Sequence, residues 1–286
     1  MFLSALIPAF NEESSVSGTI AAIRQTLTGV GIEHEIIVID DGSTDGTGKT
    51  AEAAGAKLLR HPANGGYGRA LKTGLREAAG EWVVIADADG SYPTEKIPEL
   101  LGFVPAFDMV VGARSGTHYR GSLFKWWGRK VLTMMVRFVT GVNVPDVNSG
   151  LRVFRKAVAL RNLDRIGNGF SFTTTLTLAM LLEGHFIRYV SIPYHARVGR
   201  SKVRFRRDVL RTLQIVVVAI VAYNPIKLFL LLVQACLVIA LGCLVLDAVL
   251  ARGTHAALIL AVMGGTAVLV FSLGLIADLL RRLPMR

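Results

Sequence analysis

Cysteine is nearly missing: two residues in 286, Cys236 and Cys243, both inside an apolar tail. A spacing of seven puts them on one helical face, where they cannot bridge, so they read as small buried hydrophobes rather than a disulfide framework. The six histidines show no metal-ligand spacing, which leaves His185 and His195 as packing or surface residues. No zinc-finger, helix-turn-helix or RNP pattern accompanies the formal charge of +11, so nucleic acid is not the expected partner. Nor is there a phosphate loop. "GSTDGTGKT" (42–50) carries Ser43 where that motif needs glycine. "GGYGRA" (65–70) lacks the last glycine of a dinucleotide fingerprint. Internal repeats, low-complexity segments and a signal peptide are not found, Met1 running straight into the strand-like "FLSALIP". The catalytic part is therefore expected to stay in the cytoplasm.

Apolar residues are abundant, at 52%, with a mean hydropathy of +0.48. They are not evenly spread. Residues 226–250 and 256–280 each exceed the ~20 residues that cross a bilayer core, and the short "ARGTHA" between them makes a hairpin. Basic residues before the first span and "RRLPMR" after the second place both termini in the cytoplasm, as expected for a multi-pass inner-membrane protein. The small residues of "VMGGTA" suit close helix packing and would serve a homo-oligomer. Residues 122–141, with Trp126 and Trp127 beside Lys125, Arg129 and Lys130, and residues 203–222 read as amphipathic helices lying in a membrane interface. Core helices with solvated basic edges are the alternative. The expected division is a catalytic domain over 1–204, an interface helix over 205–224 and a transmembrane hairpin over 225–286.

The first part alternates in kind. Strands are predicted at 3–8, 35–40, 56–60, 81–87 and 107–114. Helices are predicted at 12–27, 44–55, 68–80 and 94–104, the last interrupted near Pro98. Continuous apolar strands between helices indicate an α/β domain with a mainly parallel sheet covered on both faces. Ligands bind at the carboxyl ends of such strands, and there stand Asp40, Asp41, Asp87, Asp89 and Arg114. The carboxylates of "DADGS" (87–91) suit a hard cation, Mg²⁺ or Mn²⁺, shared with a diphosphate; the plainer alternative is a solvated turn capping the next helix. Asp45 suits a helix cap. Asp40 and Asp41 suit hydrogen bonds to a base or ribose better than caps.

"LIPAFNEE" (6–13), "VIDDGSTDGT" (38–47), "ANGGYGRALKTGL" (63–75), "DADGSYP" (87–93) and "VVGAR" (110–114) resemble family 2 glycosyltransferases in order and spacing. "DVNSGLRVFR" (146–155) and "RVGRSK" (197–202) resemble the branch that acts on polyprenyl phosphates, such as dolichol-phosphate mannose synthases and their bacterial relatives. The likeness spans roughly residues 3–204, and the two C-terminal membrane helices fit it. It implies a GT-A fold whose nucleotide pocket is lined by Pro8, Ala9, Glu12, Asp40 and Asp41. Asp87 would face the nucleotide-sugar, and Asp89 would hold the metal. Where those synthases carry a metal-binding glutamine, this chain has Ser91, which is expected at the metal with Asp87 and Asp89. Arg114 and Arg129 would grip the acceptor phosphate beside Ser149. Arg197 or Arg200, with Lys202, would reach the donor phosphates. Asp146 occupies a position discussed as a base, with bracing of an arginine as the alternative. The implied reaction moves one sugar, with inversion, from a nucleotide-sugar to a polyprenyl phosphate such as undecaprenyl phosphate, at a lipid bilayer. Rivals are a processive polysaccharide synthase, whose Q-x-x-R-W segment is not found, and a non-catalytic membrane scaffold. A flippase-like carrier would need more spans.

Overall fold

The computed structural model describes residues 2–116, 123–169, 171–195, 214, 217–218, 220–221, 224–250 and 255–282, with backbone alone for 123–126 and 281–282. It divides into two compact units, Met1–Thr212 and Leu213–Arg286.

The first unit is built on a seven-stranded sheet. Its strands are β1 (Leu3–Ala9), β2 (His34–Asp40), β3 (Lys57–Arg60), β4 (Trp82–Ile85), β5 (Met109–Ser115), β6 (Arg152–Arg155) and β7 (Ile187–Pro193). They lie in the order β3-β2-β1-β4-β6-β5-β7. All pairings are parallel except those of β6, which runs antiparallel to both β4 and β5. β1 is buried along its whole length, as a central strand covered on both faces must be. Its alternate residues serve two cores. Leu3, Ala5 and Ile7 pack with Ile20, Ile23 and Leu27 of α1 (Val16–Gly29) and with Leu100 of α4 (Ile97–Leu101). Leu6 joins Leu71 and Leu75 of α3 (Tyr67–Glu77) on the other face, where Phe172, Leu176 and Met180 of α7 (Phe172–Leu182) also pack.

Several local outcomes differ from the sequence expectations. The helix expected at 44–55 begins later, as α2 (Thr47–Ala53), because residues 43–46 bond to the β1–α1 loop instead. Pro98 does not interrupt a helix. It stands in the first turn of α4, after a 3₁₀ turn over Thr94–Lys96, where a missing N–H costs nothing. The short α6 (Lys156–Arg161) follows β6. β6, β7 and α7 were not anticipated.

α5 (Leu123–Thr140) packs on α7 and buries Leu132, Val136 and Val139. It stops at Gly141, whose positive φ lets its N–H close on the Arg137 carbonyl. Its outer face carries Trp127, Val131, Met134 and Phe138, all exposed, with Met134 at 65%. Steps of four, three and four residues put these on one stripe.

In the second unit, α8 (Pro225–Val249) and α9 (Ala256–Arg282) pack together, and both are long and apolar enough to cross a membrane. Gly274 faces Phe229 so closely that a Cβ there would stand 2.6 Å from the Phe229 Cβ. The Asp247 carboxylate accepts the His255 N–H at the connection. Of the expected interface helix over 205–224, most lies outside the described residues.

Candidate active site

Two loops leave the carboxyl ends of β1 and β2 and are stitched together. β1 ends in Pro8 and Ala9, and Ala9 pairs with Asp40 in the ladder. Asn11 then turns left-handed, at φ 52°, and its side-chain oxygen accepts the Thr44 N–H at 2.8 Å. Its own N–H donates to the Ser43 hydroxyl. The Glu12 N–H donates to the Thr47 hydroxyl, and the Glu13 carboxylate accepts the Gly46 N–H. These bonds form a pre-set rim.

Asp40 and Asp41 lie beneath that rim and differ in use. Asp40 is fully buried. Its Oδ1 accepts the Ser43 N–H at 2.8 Å. Its Oδ2 lies 3.4 Å from Arg60 Nε, yet makes no hydrogen bond of good geometry, and it is covered by Gly48. Asp41 takes the Gly65 and Gly66 N–H groups at 2.9 and 2.7 Å, and His61 Nδ1 stands 2.6 Å away. Both Asp41 oxygens are therefore committed to the turn that launches α3. Asp41 thus ties the end of β2 to the start of α3.

The loop after β4 holds the second carboxylate pair. Asp87 Oδ1 accepts the Tyr67 hydroxyl at 3.0 Å. Burial, then the nearby Asp87 charge, pushes the Tyr67 phenol well above its ordinary pKa, so it remains a donor. Gly150 lies against the same carboxylate, and a Cβ there would stand 2.8 Å from Asp87 Oδ2. Asp89 Oδ1 accepts both the N–H and the hydroxyl of Ser91, at 3.0 and 2.5 Å. With its proton turned onto Asp89 and its side chain buried, Ser91 braces the carboxylate.

Arg114, near the end of β5, meets Asp146 in a fork. Nε lies 2.7 Å from Oδ2 and Nη2 lies 2.9 Å from Oδ1. The Arg114 and Asn148 N–H groups also donate to Asp146, both at 3.1 Å. Four donors on one buried carboxylate are the signature of a brace. The guanidinium stands 5.4 Å from the centre of the Tyr194 ring, a cation–π distance. Arg129 lines a shallow cleft with Leu132, Thr133 and Pro145–Asn148, including Asp146. Ser149 is buried and gives its proton to the Gly112 carbonyl at 2.5 Å. As placed, it does not offer that proton to an acceptor phosphate.

Arg152 was not singled out from the sequence. It is wholly buried at 0% exposure, and it donates to the carbonyls of Val147, Ser149 and Thr173 and to the Thr177 hydroxyl. Burial lowers its pKa. Its bonds tie the 146–150 loop to α7. Tyr67, Tyr92, Tyr194 and His61 were likewise missed. Their contacts join segments that are distant in sequence, which spacing along the chain does not reveal. Arg197, Arg200 and Lys202 lie outside the described residues.

The donor set suits a nucleotide-linked cation. Among the described residues no group of three or more His, Cys, Asp or Glu could hold a metal alone. Asp87 and Asp89 offer two hard carboxylates without a protein cage, the arrangement that Mg²⁺ or Mn²⁺ completes with phosphate oxygens and water.

Comparison with known proteins bears on the family and the fold. Residues 4–162 match glycosyl transferase family 2. The low-salt glycan biosynthesis hexosyltransferase Agl6 of Haloferax volcanii is 30% identical over 207 residues, covering 70% of this chain and 49% of that protein. The undecaprenyl-phosphate mannosyltransferase of Micrococcus luteus is 31% identical over 221 residues, covering 71% and 88% respectively. The undecaprenyl-phosphate 4-deoxy-4-formamido-L-arabinose transferase of Pectobacterium carotovorum is 33% identical over 167 residues, 54% of this chain and 49% of that protein. The chain thus spans about half the length of the first and third of these relatives. Glucosyl-3-phosphoglycerate synthase from Mycobacterium tuberculosis, solved with phosphoglyceric acid, superposes with a TM-score of 0.64 at 22% identity, over 76% of this chain and 79% of that one. The same synthase has been solved with Mn²⁺, UDP and glucosyl-3-phosphoglycerate, at a TM-score of 0.59 and 23% identity, over 74% and 78%. The fold is GT-A, and the chain belongs to glycosyl transferase family 2.

Proposed function

We propose that the protein transfers a single sugar, with inversion, from a UDP- or GDP-linked donor to a polyprenyl phosphate, undecaprenyl or dolichyl, at the cytoplasmic face of the cell membrane. The observation that carries this reading is the Arg114–Asp146 fork, at the same carboxyl edge of the sheet as Asp87 and Asp89. It offers a fixed cation for an anionic acceptor beside carboxylates suited to a metal. Relatives named for undecaprenyl phosphate support the acceptor class.

The chemistry asks little of a base. A lipid phosphate is already an anion, so its oxygen attacks the anomeric carbon without losing a proton. The bond from that carbon to the nucleotide diphosphate breaks on the opposite face. The work lies in bringing two anions together and stabilising the charge that leaves. Arg114 suits the acceptor, because a planar guanidinium engages two phosphate oxygens at once. Arg129, on the neighbouring cleft, is the second acceptor contact. Asp146 acts as the brace that aims Arg114. Pro8, Ala9 and Glu12 line the nucleotide pocket, with Asp40 beneath it. Asp89, braced by Ser91, and Asp87, braced by Tyr67, would hold Mg²⁺ or Mn²⁺, which when bound neutralises the departing diphosphate. Arg197 or Arg200, with Lys202, completes the donor side.

The exposed apolar stripe of α5 supports docking on the bilayer, with Lys130 and Arg137 on the same helix to meet anionic headgroups. Introducing Met134→Asp with Phe138→Asp should raise KM for undecaprenyl phosphate in vesicles by about tenfold, with nucleotide binding unchanged. An unaltered KM would remove the stripe from the reading.

The reaction itself is tested with purified protein, undecaprenyl phosphate, Mn²⁺ and a panel of labelled nucleotide-sugars. Label should enter the lipid from one donor. Nucleotide binding without lipid labelling would overturn the acceptor class. Absence of both would favour the non-catalytic scaffold.

A further inference from the structure

Tyr92 closes the Asp87–Asp89 loop, but its contacts belong to other segments. It is buried. Its hydroxyl accepts the Gly150 N–H at 2.6 Å. Its ring meets Tyr194 edge-on, with centroids 5.4 Å apart and planes at 68°. Tyr194 in turn carries the Arg114 guanidinium on its ring. Two contacts run alongside. Gly150 lies so near the Asp87 carboxylate that a Cβ there would stand 2.8 Å from its Oδ2, and the His195 N–H donates to the Ser91 carbonyl at 3.0 Å. Three segments that are distant in sequence thus converge on one phenol: the loop after β4, the 146–150 loop that bears Asp146, and the strand end at Tyr194.

We propose that Tyr92 is a positioning residue that couples the donor half of the site to the acceptor half. The inference rests on the transferase reading given above. The Asp146 fork fixes the Arg114 guanidinium along one edge, which leaves a pivot about that edge. The Tyr194 ring limits this motion, and the Tyr92 ring packs against Tyr194 at a steep angle. The Tyr92 hydroxyl also fixes Gly150, and through it the distance between the 146–150 loop and Asp87. When a nucleotide and its cation settle on Asp87 and Asp89, the adjustment passes through Tyr92 to Asp146 and Arg114. Occupancy by donor therefore sets the acceptor arginine.

Hydrogen exchange tests this with UDP and GDP, each with Mn²⁺, on the full chain. In the wild type, the binding nucleotide should slow exchange both at 85–91 and at 146–150. Tyr92→Phe keeps the ring but loses the acceptor. It should retain protection at 85–91 and lose most of the added protection at 146–150. It should also raise KM for undecaprenyl phosphate about tenfold, the size expected when a buried N–H is left unpaired, without weakening nucleotide binding. A purely structural tyrosine would lower the melting temperature and spare this split. Equal protection of 146–150 in variant and wild type would overturn the coupling. Protection at 85–91 alone in the wild type would overturn it as well. No nucleotide effect at 85–91 in the wild type would overturn the transferase reading and the inference together.

Discussion

Asp89→Asn is expected to lower sugar transfer by about a thousandfold, in the range found when a principal electrostatic stabiliser is removed from a buried site. The fold should survive. Asparagine has the shape of aspartate, and its oxygen can still accept the Ser91 N–H and hydroxyl that hold Asp89 in place. What is lost is charge, together with the second carboxylate oxygen, whose place is taken by an amide NH₂. A hard divalent cation discriminates strongly between these. Mn²⁺ titration in the presence of nucleotide should show weaker metal binding, so added Mn²⁺ should partly restore turnover. Activity within tenfold of wild type at limiting Mn²⁺ would remove Asp89 from the metal site.

Arg114→Lys is expected to reduce kcat/KM for the lipid phosphate about a hundredfold, because an ammonium replaces a fork that meets both a carboxylate and a phosphate. The change also leaves Asp146, only 3% exposed, with a point charge in place of two directed bonds. Asp146→Asn provides the decisive contrast. If Asp146 aims Arg114, the variant should raise KM for the acceptor. Its effect should also overlap that of Arg114→Lys, so that the double variant costs much less than the two losses combined. If Asp146 were a general base, Asp146→Asn would lower kcat, leave KM unchanged and remove an acidic limb from the pH profile. Full additivity, or a loss confined to kcat, would sink the bracing role.

Much of this protein is legible along the chain. The runs that become β1, β2, β4 and β5 are mostly apolar where the doubly covered sheet buries them, Ser4 and the terminal Asp40 being polar exceptions. Clustered carboxylates at their ends therefore already point to a ligand edge. The two long apolar helices follow from length and hydropathy alone, with observed bounds of Pro225–Val249 and Ala256–Arg282. These features are local, and the physics that makes them is local too.

The tertiary structure decided what lies between the motifs. β6 reads RVFR, four residues with an arginine at each end, which gives no apolar run like the WVVI of β4. Only its pairing with β4 and β5 makes it a strand. That antiparallel insertion carries the 146–150 loop to the carboxyl edge, where Gly150 meets Asp87 and Asp146 meets Arg114. The same distance in sequence hid how individual side chains are used. Asp41 spends its carboxylate on Gly65 and Gly66, Ser149 spends its proton on Gly112, and Arg152 reaches the Thr173 carbonyl and the Thr177 hydroxyl of α7. A residue type says which bonds a side chain can make. Which of them it does make depends on partners brought in from 20 to 60 positions away by the folding of the sheet, as for Gly65 with Asp41 and Gly150 with Tyr92.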